Sequence, residues 1–133
     1  MQSALLSKLV QYCNRTLKIV SVEDWPGAVN GLQLENNGKV TCMAAAVDAT
    51  FSTAQKAVEQ GADLLIVHHG LFWNKTHPWT GRRYAFIKFM LDHNLAVYSA
   101  HLPLDIHPEL GNNSQLCQAL GVQRTKPFFK DKG

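Results

Sequence analysis

Two of the six histidines in this 133-residue chain stand side by side, His68 and His69, at the end of the apolar run 64–67 and just before Gly70. A third, His101, follows another apolar run, 95–100, with Asp105 four residues further on. Neutral imidazole combined with carboxylate is the ligand mix that suits a divalent ion of zinc, iron, manganese or nickel. Such a centre keeps open positions for water or substrate. A metal held there acts as a Lewis acid and lowers the pKa of bound water to about 7. His101 is a candidate for catalysis as well as for ligation, because imidazole changes charge near neutral pH and can serve as general acid or base. The three cysteines, Cys13, Cys42 and Cys117, lie outside these motifs and far apart. That spacing makes neither a zinc ribbon nor a disulfide framework, and small buried apolar residues are the better reading.

Each polar residue also has a plainer reading. A lone histidine is more often a hydrogen-bonded core or surface group than a ligand. Asp48 precedes Thr50 and a helical pattern, so it reads as a helix N-cap. His77 and His107 each precede proline in a loop and read as solvent-facing. His93 sits near a helix C-terminus, where a cation interacts well with the dipole. Trp73 and Trp79 fall in the aromatic loop 70–81 and suit either a pocket mouth or loop packing.

The elements that must position these residues follow from periodicity. Leu5, Leu6, Leu9, Val10, Cys13 and Leu17 recur at helical spacing, predicting an amphipathic helix over 3–17 with Ser3 as its cap. Turn chemistry follows through Asp24-Trp25-Pro26-Gly27 and Asn36-Asn37-Gly38. A small apolar strand is expected over 40–47, a helix over 51–60 closed by Gly61, and the buried strand over 63–67. A helix over 83–93 with Phe86, Phe89 and Met90 facing inward, closed by Asn94, leads to a third strand over 95–100. A turn-rich stretch to Gly111 and a short helix over 114–120, capped by Asn113 and Gly121, complete the pattern.

Strand–helix–strand units of this length join parallel strands. The expected fold class is therefore α/β, a three-layer sandwich with a mostly parallel sheet flanked by helices. In such a sheet ligands bind outside the carboxyl ends of the strands. Asp48, His68, His69, His101 and Asp105 all fall on that rim. Successive strand residues face opposite ways. His68 and His69 can therefore share a site only if the backbone bends, which Gly70 would permit.

Length supports one domain over residues 1–133. No apolar run approaches a membrane span and no secretory signal opens the chain, so a cytoplasmic location is expected. The net charge of +3 gathers partly in the tail, at Arg124, Lys126, Lys130 and Lys132. No basic stripe with interleaved aromatics supports nucleic-acid binding, and no Walker-type phosphate loop is present.

The chain resembles the Nif-three-like dinuclear metal proteins, also called GTP cyclohydrolase I type 2 homologues. The resemblance is carried by Trp25 with Asn30-Gly31-Leu32-Gln33, by Val47-Asp48, by the run from Ala62 through His68-His69-Gly70, and by Ala100-His101-Leu102-Pro103-Leu104-Asp105 continuing into Asn112-Asn113. It implies an α/β fold, a ring-shaped homohexamer, and a pair of divalent ions with His68 and His69 on different ions. Asp105 would ligate one ion, and His101 would line the site as ligand or close support. Members of that family are usually longer and carry a later His-x-x-x-Glu motif that completes the pair. None follows Asp105 here, so the resemblance covers roughly the first half of a typical member. The expectation is a centre with at most one tightly bound ion, or two with ligands borrowed from solvent or another subunit. Apolar Phe128 and Phe129 would lack cover and favour oligomerisation. The expected function is a metal-dependent hydrolase acting on a small, nucleotide-like substrate. The alternative is a non-catalytic metal-binding or protein-interaction module.

Overall fold

A computed structural model describes residues 2–73 and 77–126. The chain opens with a short strand β1 (Ala4–Leu5) and helix α1 (Leu6–Thr16). Then come β2 (Gly31–Leu34), β3 (Lys39–Val40), β4 (Met43–Asp48), α2 (Phe51–Glu59), β5 (Leu64–His69), α3 (Gly81–Asp92) and β6 (Ala96–Ser99). A single helical turn α4 (Leu102–Asp105) and helix α5 (Asn112–Ala119) follow. The tail residues Phe128, Phe129, Lys130 and Lys132 lie outside the described residues.

The main sheet has the order β2-β6-β5-β4. The pairs β4/β5 and β5/β6 are parallel, with Leu65 opposite Ala44 on one side and Val97 on the other. Strand β2 runs antiparallel to β6, with Gly31 opposite Ser99 and an irregularity between Leu32 and Leu34. A smaller antiparallel pair joins β1 to β3. The mostly parallel sheet is as expected, with an antiparallel edge strand added in a stretch that the sequence marked only as a motif.

Side-chain alternation sorts the core into two layers. Leu65, Val67 and Val97 point to one face, where Ala54 and Ala57 of α2 and Met90 of α3 cover them. Leu64, Ala96 and Tyr98 point to the other, under Leu6, Leu9, Val10 and Cys13 of α1. These central positions are almost wholly withdrawn from water, and each large aliphatic buried this way contributes about 1.5–3 kcal/mol. Helices on both faces make the expected three layers. No helix among the described residues is long and apolar enough to cross a membrane.

Several local expectations give way to tertiary context. Leu5, not Ser3, caps α1, because residues 4–5 are drawn into pairing with β3. The strand expected over 40–47 is divided at Thr41 and Cys42, whose backbone amides donate to the Asp63 carboxylate instead of to a neighbouring strand. Thr50, not Asp48, caps α2, its hydroxyl accepting from the Thr53 amide at 3.1 Å. Gly111 precedes α5 in place of Asn113. The turn-rich stretch after His101 holds α4, started by Pro103 within its first turn. The helix ends read as expected: Gly61 and Asn94 take the left-handed conformation that closes α2 and α3.

Candidate metal centre

Strands β5 and β6 are adjacent and parallel, so their carboxyl ends deliver His68, His69 and His101 to one corner of the sheet. The imidazole centroids lie 4.5 Å apart for His68–His69, 4.7 Å for His68–His101 and 5.6 Å for His69–His101. One ligand nitrogen from each ring falls within 4.8 Å of the other two, an arrangement that could hold a metal ion.

Each ring has a carboxylate beside it. His68 Nε2 is 3.0 Å from Asp105 Oδ2, His69 Nδ1 is 2.7 Å from Asp48 Oδ1, and His101 Nδ1 is 2.8 Å from Asp24 Oδ1. Carboxylates placed in this way orient imidazoles and raise their basicity as ligands. The His68 contact differs in kind. It is close enough for an ion pair, yet His68 Nε2 is buried and forms no hydrogen bond. A buried nitrogen lone pair facing a carboxylate oxygen is costly without a proton or cation between them. This orphaned atom, with two more imidazoles and a carboxylate around it, fits a cation.

The four residues singled out from the sequence thus converge. Asp105 adjoins the cluster through His68 and is steadied by Asn112, whose amide donates to its other oxygen at 2.8 Å. The two adjacent histidines meet without the left-handed glycine dihedral that Gly70 would permit. Residues 68–70 have no left-handed dihedral, and His69 still lies opposite Asp48 in the ladder. At the rim the sheet stops, so side chains from its two faces can turn over the same end. Gly70 serves a different purpose. Its missing Cβ leaves room for the Gln33 side-chain amide, which packs directly against it. That amide accepts from Leu71 N–H at 2.6 Å and donates to the Val29 carbonyl at 2.7 Å.

Asp48 is corrected from helix cap to His69 partner, because cross-strand pairing sets it opposite His69. Asp24 was legible only as turn chemistry. It lies 77 positions before His101 in the chain, with no periodicity to link them. Strand β2 makes the link: its register with β6 carries Asn30 beside His101, and the Asn30 amide donates to Asp24 Oδ2 at 2.7 Å. Burial raises the Asp24 pKa, but hydrogen bonds from Asn30, His101 and the Trp25 and Leu102 amides outweigh it, holding the carboxyl below its ordinary value.

The remaining candidates sort by their contacts. Trp73 stands near-perpendicular to His101 at 5.0 Å and beside His69 at 5.9 Å, with its indole N–H on the Gly70 carbonyl. Trp79 packs edge-on against Phe72 instead. His107 is not simply solvent-facing: its Nδ1 accepts the Glu109 and Leu110 amides and shapes the turn before α5. His93 caps α3 and bonds the Phe89 carbonyl through Nδ1 at 2.8 Å, in keeping with its expected place at a helix C-terminus. His77 is exposed. The three cysteines are free and half-buried.

The model of the family described as Duf34/NIF3 (NGG1p interacting factor 3) matches residues 4–132. A curated GTP cyclohydrolase 1 type 2 homolog from Deinococcus radiodurans is 41% identical over 121 residues, which are 91% of this chain and 45% of that protein. Another from Halobacterium salinarum is 42% identical over 129 residues, 96% of this chain and 50% of its own length. The crystal structure of TTHA1606 from Thermus thermophilus superposes with a TM-score of 0.90 at 39% identity, covering 95% of this chain and 52% of that one. The chain spans about half the length of the curated relatives it matches.

Proposed function

The chain belongs to the Duf34/NIF3 (NGG1p interacting factor 3) family, and on that premise we propose that it is a metal-dependent hydrolase of a small, nucleotide-like substrate. His68, His69 and His101, with Asp105, are the proposed ligands. The observation that carries the reading is the buried His68 Nε2, without a hydrogen bond, inside a group of three imidazoles in mutual reach. Three nitrogens and one carboxylate match zinc, iron, manganese or nickel. A dication held there supplies Lewis acidity and brings the pKa of a water toward neutrality.

The protein's own groups do the rest. Asp48 and Asp24 hold the rings of His69 and His101 through Nδ1, so Nε2 is the atom each ring has left to offer. Asp105 adds negative charge beside His68. His101 either ligates through Nε2 or carries a proton at that atom during attack on a C–N or phosphoester bond. The nucleotide-like substrate class comes from the name GTP cyclohydrolase 1 type 2 homolog borne by the relatives. Self-association into a homo-oligomer is part of the same reading, supported by the exposed apolar Met43 and Val47 on edge strand β4.

Metal analysis after dialysis, alongside hydrolysis assays on GTP and a generic phosphodiester, tests the proposal. About one tightly held ion per chain is expected from four ligands. Both metal and hydrolysis should be lost in His68→Ala. Unchanged metal content in that variant, or none in the parent, overturns the site. Two equivalents surviving dialysis overturn the single-ion reading. Tight binding without hydrolysis favours a second reading, a non-catalytic metal-binding or interaction module, which the family's description as an interacting factor supports.

A further inference from the structure

The three imidazole–carboxylate pairs are unequal. The Asp24 side chain is 6% exposed, against 25% for Asp105 and 56% for Asp48. Four nitrogens converge on Asp24. Its Oδ1 accepts the Trp25 amide at 2.6 Å and lies 2.8 Å from His101 Nδ1. Its Oδ2 accepts the Leu102 amide at 3.1 Å and the Asn30 side-chain nitrogen at 2.7 Å. The Asn30 amide cannot be turned the other way, because its own oxygen accepts the His101 backbone N–H at 2.7 Å.

The protons follow by elimination. Backbone amides only donate, and the orientation of Asn30 makes its nitrogen a donor as well. Both Asp24 oxygens are therefore acceptors, and the ring nitrogen 2.8 Å away must carry a hydrogen. We propose that Asp24, seated by Asn30, is a positioning residue that holds His101 in the Nδ1–H tautomer, leaving the Nε2 lone pair open to a cation before any cation arrives. The other two rings have no such seat. No backbone amide reaches the half-exposed Asp48 carboxylate among the described residues, and His68 Nε2 has no hydrogen bond. His101 is thus the most firmly preset member of the cluster, since the carboxylate that holds His69 is itself half-exposed and unseated. An internal acceptor chain closed by backbone amides is also insensitive to salt and solvent, since little water reaches it.

Only the consequence for affinity rests on the proposed metal role; the tautomer does not. Long-range proton–nitrogen NMR on the metal-free chain, with imidazoles neutral, reads the tautomer directly. The expected spectrum shows His101 protonated at Nδ1, the minority form of free neutral histidine. A spectrum showing Nε2–H, or an even mixture, overturns the proposal. The second arm titrates Zn²⁺ alone into folded variants. Asp24→Asn should lower affinity about 10–100-fold, the range for removing a group that orients a metal-ligating histidine, and should erase the Nδ1–H preference. Asp48→Asn should lose clearly less. Equal losses overturn the ranking of the pairs. The Leu102 and Asn30 donors keep the oxygen of an amide at 24 in the Oδ2 place, so its NH2 faces His101 Nδ1 and meets the Trp25 N–H donor; if that variant does not fold, the parent spectrum decides alone. If the parent binds no Zn²⁺, the proposed function fails while the tautomer spectrum still decides this inference.

Discussion

Replacing Gly70 by alanine separates two reasons for a glycine at this position. If the chain needed glycine for a bend, any side chain would strain the backbone regardless of its surroundings. The structure gives the other reason: Gly70 has an ordinary dihedral, and an added Cβ would meet the Gln33 side-chain amide. The end of a flexible side chain can normally swing away at little cost. Gln33 cannot swing freely, because it holds Leu71 N–H and the Val29 carbonyl. Losing both bonds costs about 1–3 kcal/mol, at about 0.5–1.5 kcal/mol each. Urea unfolding followed by circular dichroism should show that loss in Gly70→Ala as a lower midpoint at unchanged slope. The decisive measurement is the same substitution in a Gln33→Ala background. There the obstacle is gone, the backbone tolerates alanine, and the smaller entropy of the unfolded chain should stabilise by about 0.4–1 kcal/mol. The effect therefore changes sign between the two backgrounds, a coupling that a double-mutant cycle reads directly. Equal destabilisation in both backgrounds would refute the steric reasoning and restore the bend.

Two further perturbations probe the scaffold. Met90 of α3 is fully buried between the sheet and α2, so Met90→Ala should cost about 2–5 kcal/mol in the same unfolding assay, within the range for large-to-small core changes. Asp63 accepts from the Thr41 hydroxyl and from the Thr41 and Cys42 amides, at 2.7–3.1 Å. Burial raises its pKa, but these bonds, led by the Thr41 hydroxyl, outweigh it and hold the carboxyl below its ordinary value. A depressed carboxyl pKa stabilises the fold fully above the unfolded value, about 3.9, and ceases to do so as pH falls through the folded value. Asp63→Ala should accordingly cost about 1–2 kcal/mol at neutral pH, a figure already reduced for solvent exposure. The gap to the parent should close on acidification below about pH 4, and a gap that persists there would show that the loss comes from packing.

Much of the site could be read along the chain because it is built from strand ends. An apolar run that stops at a polar residue marks the place where a buried strand reaches the rim, and 64–67 before His68 and 95–100 before His101 both have that form. Asp105 was legible for the same reason, one helical turn beyond. Alternation, applied strictly, would have put His68 and His69 on opposite faces, and that rule loses its force where the sheet ends.

Local pattern by itself determined the layered α/β fold, the parallel strands β4, β5 and β6, and the identity of the clustered imidazoles, because hydrophobic periodicity is a property of neighbouring residues. Tertiary structure alone decided which carboxylate serves which ring. Asp24 meets His101 through an antiparallel strand that no periodicity announced, Asp48 leaves a helix cap for a cross-strand partner, and Gly70 gives way to Gln33. Such pairings depend on which distant segments pack together. That is settled by burial of the whole core, and it leaves no trace in the spacing of residues along the chain.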